Sequence, residues 1–372
     1  MSQRNNSGLR SILRPLHWGL APLAGLYWGV TSLRNYLFNI GYTPSLSFDP
    51  LMISVGNLSV GGTGKSPMIE YLVPMLRREH ALAVLSRGYR RKTSGIRIAG
   101  DQDNAETLGD EPYQFYRKFG ALSPGQTASE NTPVVVAVGE ERALAIPEIL
   151  HHHPEINMIL LDDAFQHRKV KSDVQILLTT YQRPFYKDRI LPLGLLRESR
   201  KGAKRADVVI VTKCPEDIKE EEKNRMRVAI QAYAGEKIQV FFTAISYQSP
   251  ETVFEPDLML KEPVLLFSGI ANADLFEAYA RQQFKVAEHI RWEDHHRYSE
   301  SDVKKVQEVL KASGAKSVLT TEKDMVKLID PSQSNLWTDI PLHYLPIQVK
   351  FLANETAFQQ YISDKIRSAE KE

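Results

Sequence analysis

The residues best suited to chemistry lie in Leu51-Met-Ile-Ser-Val-Gly-Asn-Leu-Ser-Val-Gly-Gly-Thr-Gly-Lys-Ser66, where an apolar run leads into a glycine-rich loop ending in Gly-Lys-Ser. Gly61, Gly62 and Gly64 permit positive φ and let backbone N–H groups approach an anion. Lys65 supplies a point charge for β- and γ-phosphates, and the Ser66 hydroxyl a ligand for Mg²⁺. The strict pattern puts a glycine where Ser59 stands, and an ordinary glycine-rich turn is the competing reading. Against it, Pro67 follows and Ile69, Leu72, Val73 and Leu76 fall at i, i+3, i+4 and i+7, as on the buried stripe of a helix. Strand, loop (59–66, including Thr63) and helix together point to a nucleotide site.

Other groups are placed to serve such a site. In Leu160-Leu-Asp-Asp-Ala-Phe-Gln-His-Arg168, Asp162 and Asp163 end an apolar run. An acid there holds Mg²⁺ directly or through water. If the strand continues through both, they point to opposite sides, one to the metal and one to its neighbours. Turn-forming acids at a strand end are the alternative.

Ser86-Arg-Gly-Tyr-Arg-Arg91 offers Arg87, Arg90 and Arg91 on a loop, and guanidinium groups suit phosphate. In Leu108-Gly-Asp-Glu-Pro112, Asp110 reads as the N-cap of a helix. Beside phosphates it could instead take a proton from an attacking hydroxyl. Trp292-Glu-Asp-His-His-Arg-Tyr298 sets Asp294 next to His295, and such a carboxylate can orient an imidazole. Zinc is the rival there, but Cys214 and the scattered histidines give no standard ligand spacing. His151-His-His153 reads as a solvated turn. Leu193-Gly-Leu-Leu-Arg-Glu198 adds the charged pair Arg197 and Glu198. Val211-Thr-Lys-Cys-Pro215 stands where guanine-reading proteins carry Asn-Lys-x-Asp, and Pro215 replaces the discriminating acid.

These residues need a frame. Apolar runs at 81–85, 134–138, 158–161, 174–178 and 208–211 alternate with helical patterns, which implies an α/β fold on a parallel sheet flanked by helices. Ligands gather at the carboxyl ends of such strands. A strand at 237–245 precedes the turn-rich stretch 249–263, a natural linker. Runs at 264–267, 317–320 and 342–345 with helices near 273–281 and 301–313 form a second, smaller α/β domain. The expected division is 1–40, 41–248 and 249–372, with 363–372 a solvated charged tail.

The chain has 372 residues, 42% hydrophobic and 25% charged, with a net charge of +2. That balance argues against a dedicated nucleic-acid binder, and a lone cysteine fits a reducing compartment. No obligate protein partner is evident. Residues 1–16 carry Arg4, Arg10 and Arg14 with no acid, and lead into an apolar, aromatic stretch at 17–33. It is short of the roughly 20 residues that span a bilayer and is interrupted by Pro22. A secretory signal has this layout, but a downstream nucleotide site argues against export. An interfacial helix fits better, with Trp18, Tyr27, Trp28 and Tyr36 at headgroup depth. A terminal helix packed on the protein's own core is the alternative.

The ordered motifs GNLSVGGTGKSP, LSRGYRR, GDEP, LDDAFQHR, LPLGLLRE, VIVTK, FSGIAN, DHHRY and TTEKDMVKL resemble the tetraacyldisaccharide 4'-kinase family across about 56–328. The resemblance implies transfer of the ATP γ-phosphate, with Mg²⁺, to the 4'-hydroxyl of a lipid-linked glucosamine disaccharide 1-phosphate. The work would be done at the cytoplasmic face of the inner membrane. It assigns Lys65 and Ser66 to the P-loop, Asp162 and Asp163 to the metal, and Asp110 to the base. His295 would be the base's partner, held by Asp294, and pairing them would require a cleft between two domains to close. Gln166, Arg197 and Glu198 would line the site. Arg142 would bind acceptor, with Arg87, Arg90 and Arg91 further candidates for its 1-phosphate. Ala164 stands where glycine is common. A nucleotide-driven switch or metallochaperone without an acceptor is the reading from another class, and a soluble small-molecule kinase would leave the aromatic N-terminal helix unexplained.

Overall fold

The computed structural model describes residues 6–120, 133–255, 258–329 and 334–371, with side chains from residue 19 onward. The chain is mixed α/β. Its strands are β1 (Leu51–Asn57), β2 (Leu82–Ser86), β3 (Arg97–Ile98), β4 (Val135–Val138), β5 (Met158–Asp162), β6 (Val174–Thr180) and β7 (Val208–Thr212). They continue with β8 (Gln239–Tyr247), β9 (Glu251–Thr252), β10 (Val264–Ser268), β11 (Val286–Arg291), β12 (Ser317–Thr321), β13 (Leu342–Leu345) and β14 (Ile347–Phe351). The α-helices are α1 (Asn6–Asn39), α2 (Lys65–Leu76), α3 (Ala105–Leu108), α4 (Asp110–Phe115) and α5 (Arg142–His152). After them come α6 (Glu220–Ala234), α7 (Ala273–Gln283), α8 (Glu300–Ser313), α9 (Glu322–Leu328) and α10 (Glu355–Ala369).

Parallel pairing predominates, as alternating strands and helices require. It joins β1 to β6, β6 to β7, β7 to β8, and β2 to β4. The five apolar runs expected as strands are β2, β4, β5, β6 and β7. A smaller sheet runs β11-β10-β12-β13-β9, parallel except for β9. The turn-rich stretch 249–263 thus contains a short strand.

Two compact units emerge: Met1–Lys65 with Leu161–Ala244 and Phe351–Glu372, and Ser66–Leu160 with Ile245–Lys350. One crossing, at 244/245, lies near the compositional boundary at 248. Residues 66–160 nevertheless group with 245–350, so α4 and the five-stranded sheet share a unit.

In the first unit β1 is buried from Met52 to Asn57, and Leu58, Phe165, Leu177, Val209 and Phe242 share a core. The C-terminal tail differs from expectation. Residues through Ala369 are helical, and Phe358, Ile362 and Ile366 are buried. Apolar groups at i, i+4 and i+8 give α10 a core-facing stripe despite its charges. The first helix also differs: α1 continues through Pro15 and Pro22. The side chains of Arg10, Arg14 and Trp18 lie outside the described residues, as does Arg4.

In the second unit, Asn104 caps α3 reciprocally with Thr107, and Leu108, Tyr113, Val138 and Val326 form one buried cluster. That cluster packs α4 and α9 together.

Gly56 shows how closely β1 approaches the turn after β5. A Cβ there would sit 2.6 Å from the Phe165 Cβ and 2.8 Å from its backbone nitrogen. Gly56→Ala should therefore cost about 1–3 kcal/mol through overpacking and displace the turn carrying Asp162 and Asp163. Thermal unfolding with ATP titration checks this; wild-type stability would contradict the close approach.

Candidate functional site

The glycine-rich loop between β1 and α2 is held by the ends of neighbouring strands. Asn57 Nδ2 donates to Thr63 Oγ1 at 2.7 Å, Thr212 Oγ1 to the Thr63 carbonyl at 2.8 Å, and Lys213 Nζ to the Gly62 carbonyl at 2.8 Å. Ser59 bridges Leu196, and the Val60 N–H donates to the Leu195 carbonyl at 2.8 Å. Gly61 and Gly64 take φ of 108° and 87°. With its backbone so fixed, the loop delivers Lys65 and Ser66 as the first two residues of α2, where helix N–H groups favour an anion.

Asp162 ends β5 and is buried, 3% exposed. Asp163 has φ 49°, so the strand stops between the two acids and strand alternation does not set their directions. Its carboxylate lies 3.7 Å from Lys65 Nζ and accepts from Arg197 Nη1 at 2.9 and 3.0 Å. Gln166 Nε2 donates to the Asn57 carbonyl at 2.8 Å and to Glu198 at 3.0 Å. These contacts bring together Lys65, Asp163, Gln166, Arg197 and Glu198.

The second cluster forms around Asp110, whose expected capping role the structure corrects. Asp110 is the first residue of α4, and the cap is Gly109 at φ 95°. A Cβ on Gly109 would also lie 3.1 Å from the Tyr89 carbonyl oxygen. With glycine in the cap, the Asp110 carboxylate is released to pair with His295 Nδ1 at 3.2 Å. Both residues fall in the same unit, and their contact is formed in this structure.

His295 sits at φ 62° and donates its N–H to the Gly269 carbonyl at 3.2 Å. Asp294 Oδ2 is 3.7 Å from His295 Nε2, while Lys323 Nζ is 3.4 Å from Nε2 and 3.3 Å from Asp294 Oδ1. Burial alone would raise the Asp110 carboxyl. The hydrogen bond with His295 and the charges of Lys327 and Lys323 outweigh it and hold the group below the usual carboxylate range. Asp110, His295, Arg90, Arg297 and Lys327 line an open cleft.

The arginines divide. Arg87 is exposed beyond β2, and Arg91 pairs with Glu140. Arg142 is 1% exposed and donates to the carbonyls of Gly139 and Glu140 at 2.7 and 3.4 Å. Thr212, Lys213, Lys323, Asp324 and Lys327 lie in segments that the sequence analysis quoted but were given no role of their own. The strand-end position of the first two and the four-residue spacing of the lysines were the available signals.

The family model of tetraacyldisaccharide-1-P 4'-kinase matches residues 16–367. The chain belongs to this family. A tetraacyldisaccharide 4'-kinase of Flavobacterium psychrophilum is 43% identical over 354 residues, covering 94% of this chain and 97% of that one. The protein of the same name from Bacteroides thetaiotaomicron is 37% identical over 370 residues, covering 95% and 94%. The crystal structure of LpxK from Aquifex aeolicus, described as an apo form in complex with ATP, is similar at a TM-score of 0.71 and 28% identity. The match covers 94% of this chain and 99% of that one.

A kinase of this family needs Mg²⁺ as well as a nucleotide cradle. Among the described residues no group of three or more His, Cys, Asp or Glu gathers into an all-protein metal cage. Mg²⁺ beside phosphates needs only one or two carboxylates, with phosphate and water oxygens completing its shell. The hydroxyl of Ser66 and the carboxylates of Asp162 and Asp163 are hard oxygen donors of that kind.

Glu198 is the structural hub of the first cluster. It is 3% exposed and accepts from Arg205 at 2.8 and 3.0 Å, from Gln166, and from Asn35 of α1 at 2.7 Å. Glu198→Ala removes the carboxylate partner of Arg205 and leaves Arg205 and Gln166 only backbone acceptors, the Phe165 and Asn57 carbonyls. The loss should be about 3–5 kcal/mol, as for a broken buried pair, read as a lowered melting temperature. Wild-type stability would show that the ionic contacts are dispensable.

Proposed function

We propose that the chain transfers the γ-phosphate of ATP to the 4'-hydroxyl of a tetraacylated glucosamine disaccharide 1-phosphate, with Asp110 as the proton acceptor. The observation that carries the reading is the Asp110 carboxyl held 3.2 Å from His295 Nδ1 in an open cleft, beside charges that favour its ionised form. The acceptor oxygen forms a bond to the γ-phosphorus as the bond to the β,γ-bridging oxygen breaks. The hydroxyl proton passes to Asp110, and ADP leaves.

Lys65 and the loop amides of this P-loop bind the phosphates. Ser66, Asp162 and Asp163 are the residues that would hold Mg²⁺, which when bound neutralises charge on the β- and γ-oxygens. Arg197 keeps Asp163 oriented. Asp110→Ala should lower turnover by roughly 10²–10⁴-fold, the usual worth of a general base, with ATP affinity retained. Radiolabelled γ-phosphate followed into lipid measures it; near-normal lipid labelling by the variant removes this role. Label found only in inorganic phosphate with the wild type would favour a hydrolytic switch.

The acceptor's acyl chains place the work at a membrane surface, in this reading the cytoplasmic face of the inner membrane. No helix among the described residues is long and apolar enough to cross a membrane. The helix α1 is two-sided: Tyr27 donates to the Arg197 carbonyl at 2.9 Å and Asn35 to Glu198, while Leu26, Trp28, Val30, Leu33 and Tyr36 are exposed. Such an apolar, aromatic face suits the headgroup boundary. Leu26→Ser, Trp28→Ser and Leu33→Ser combined leave the docked residues intact. They should lower co-sedimentation with anionic vesicles at least several-fold; unchanged sedimentation removes α1 from membrane binding.

A further inference from the structure

The reading of Asp110 as proton acceptor leaves open what decides which nitrogen of His295 carries a proton, and α9 supplies an answer. Lys323 and Lys327 stand four residues apart on this helix, so they are neighbours on its surface. Val326 between them packs with Leu108 and Tyr113, which flank and build α4.

The same helix reaches the backbone that carries His295. Asp324 is fully buried and accepts from the Gly269 N–H at 2.9 Å, from the Thr321 hydroxyl at 2.7 Å and from Lys327 Nζ at 2.9 Å. Gly269 in turn accepts from the His295 N–H. Both partners of the Asp110–His295 pair are therefore referred to α9.

The Lys323 ammonium is the informative contact. It lies 3.4 Å from His295 Nε2, and an ammonium has protons to give and no lone pair to accept with. The ammonium therefore favours a lone pair on Nε2 and the proton on Nδ1, against the Asp294 carboxylate 3.7 Å from Nε2, which favours a proton there. The Nδ1–H points to Asp110 Oδ2 at 3.2 Å, which leaves Oδ1 of Asp110 for the substrate proton. The opposite tautomer would set the Nδ1 lone pair against the carboxylate. Lys327 lines the cleft beside Asp110, and its charge, with that of Lys323, favours the carboxylate form of Asp110 against burial.

We propose that Lys323 and Lys327 are positioning residues for phosphoryl transfer, Lys323 by fixing the His295 tautomer that donates to Asp110 and Lys327 by supplying the compensating charge beside Asp110. The inference rests on Asp110 as the proton acceptor. Neither lysine takes or gives the transferred proton.

Lys323→Met, Lys327→Met and the corresponding Lys→Arg variants of the full chain test this. The Met variants should lose about tenfold in kcat, less than the roughly 10²–10⁴-fold worth of the base itself, with the KM for ATP within about twofold of wild type. The Arg variants, which keep the charge, should recover most of it. In ¹⁵N spectra of the ring, wild-type His295 should carry a proton on Nδ1, and Lys323→Met should raise the share protonated on Nε2. Lys327→Met should leave the tautomer alone. A ring signal unchanged by Lys323→Met overturns the tautomer role. A kcat loss that tracks a lowered melting temperature and is not restored by Arg overturns the positioning role. If Lys327→Met fails to fold because Asp324 loses its partner, Lys327→Gln carries the same comparison. Should Asp110→Asn retain turnover, the base reading fails, while the ring signal still judges the tautomer claim.

Discussion

The rest of the site depends on one contact, the Asp110 carboxylate against the His295 imidazole at 3.2 Å. A carboxylate that must accept a proton needs two incompatible things, shelter from water and a stable charge. Burial alone favours the neutral acid, and hydrogen bonding and nearby cations restore the ion. The structure provides both through residues far apart in sequence. Gly109 takes the cap at positive φ and frees the carboxylate, the turn at 292–298 presents the imidazole, and α9 brings the lysines.

A similar division of labour governs the glycine-rich loop. Its flexibility in sequence is removed by tertiary contacts: Thr212 and Lys213 from the end of β7 hold the Thr63 and Gly62 carbonyls, and Asn57 from the end of β1 holds Thr63. Asp163, Lys65 and Arg197 form a charged row beside it. Glu198 joins that row to α1 through Asn35. The helix with the exposed apolar face is thus anchored on residues that neighbour Lys65.

The loop, the Asp pair and the strands that carry them were legible in the sequence because their signals are local. Consecutive glycines before Lys65 and uninterrupted apolar runs need no knowledge of distant residues. The helix α10 was hidden by its charges, although Phe358, Ile362 and Ile366 keep helical spacing. The strand β11 stands at an end of the five-stranded order, and three of its six residues, Glu288, His289 and Arg291, are polar or charged, so no alternation marks it. Asp110 read as a cap because its neighbours suit a helix start, and only the φ of Gly109 shows otherwise. The roles of Thr212, Lys213 and Lys323 arise from contacts between residues tens of positions apart, which no spacing rule encodes.

The central claim is that Asp110 accepts the proton of the acceptor hydroxyl. The most direct measurement is the pH dependence of kcat/KM for lipid phosphorylation in the wild type and in Asp110→Asn. Because the folded carboxyl is held below its usual range, the wild-type rate should persist into mildly acidic pH and fall only as Asp110 protonates. Asp110→Asn should be slow at every pH and lack that acid limb, with ATP binding intact. An acid limb that survives unchanged in Asp110→Asn would contradict the account.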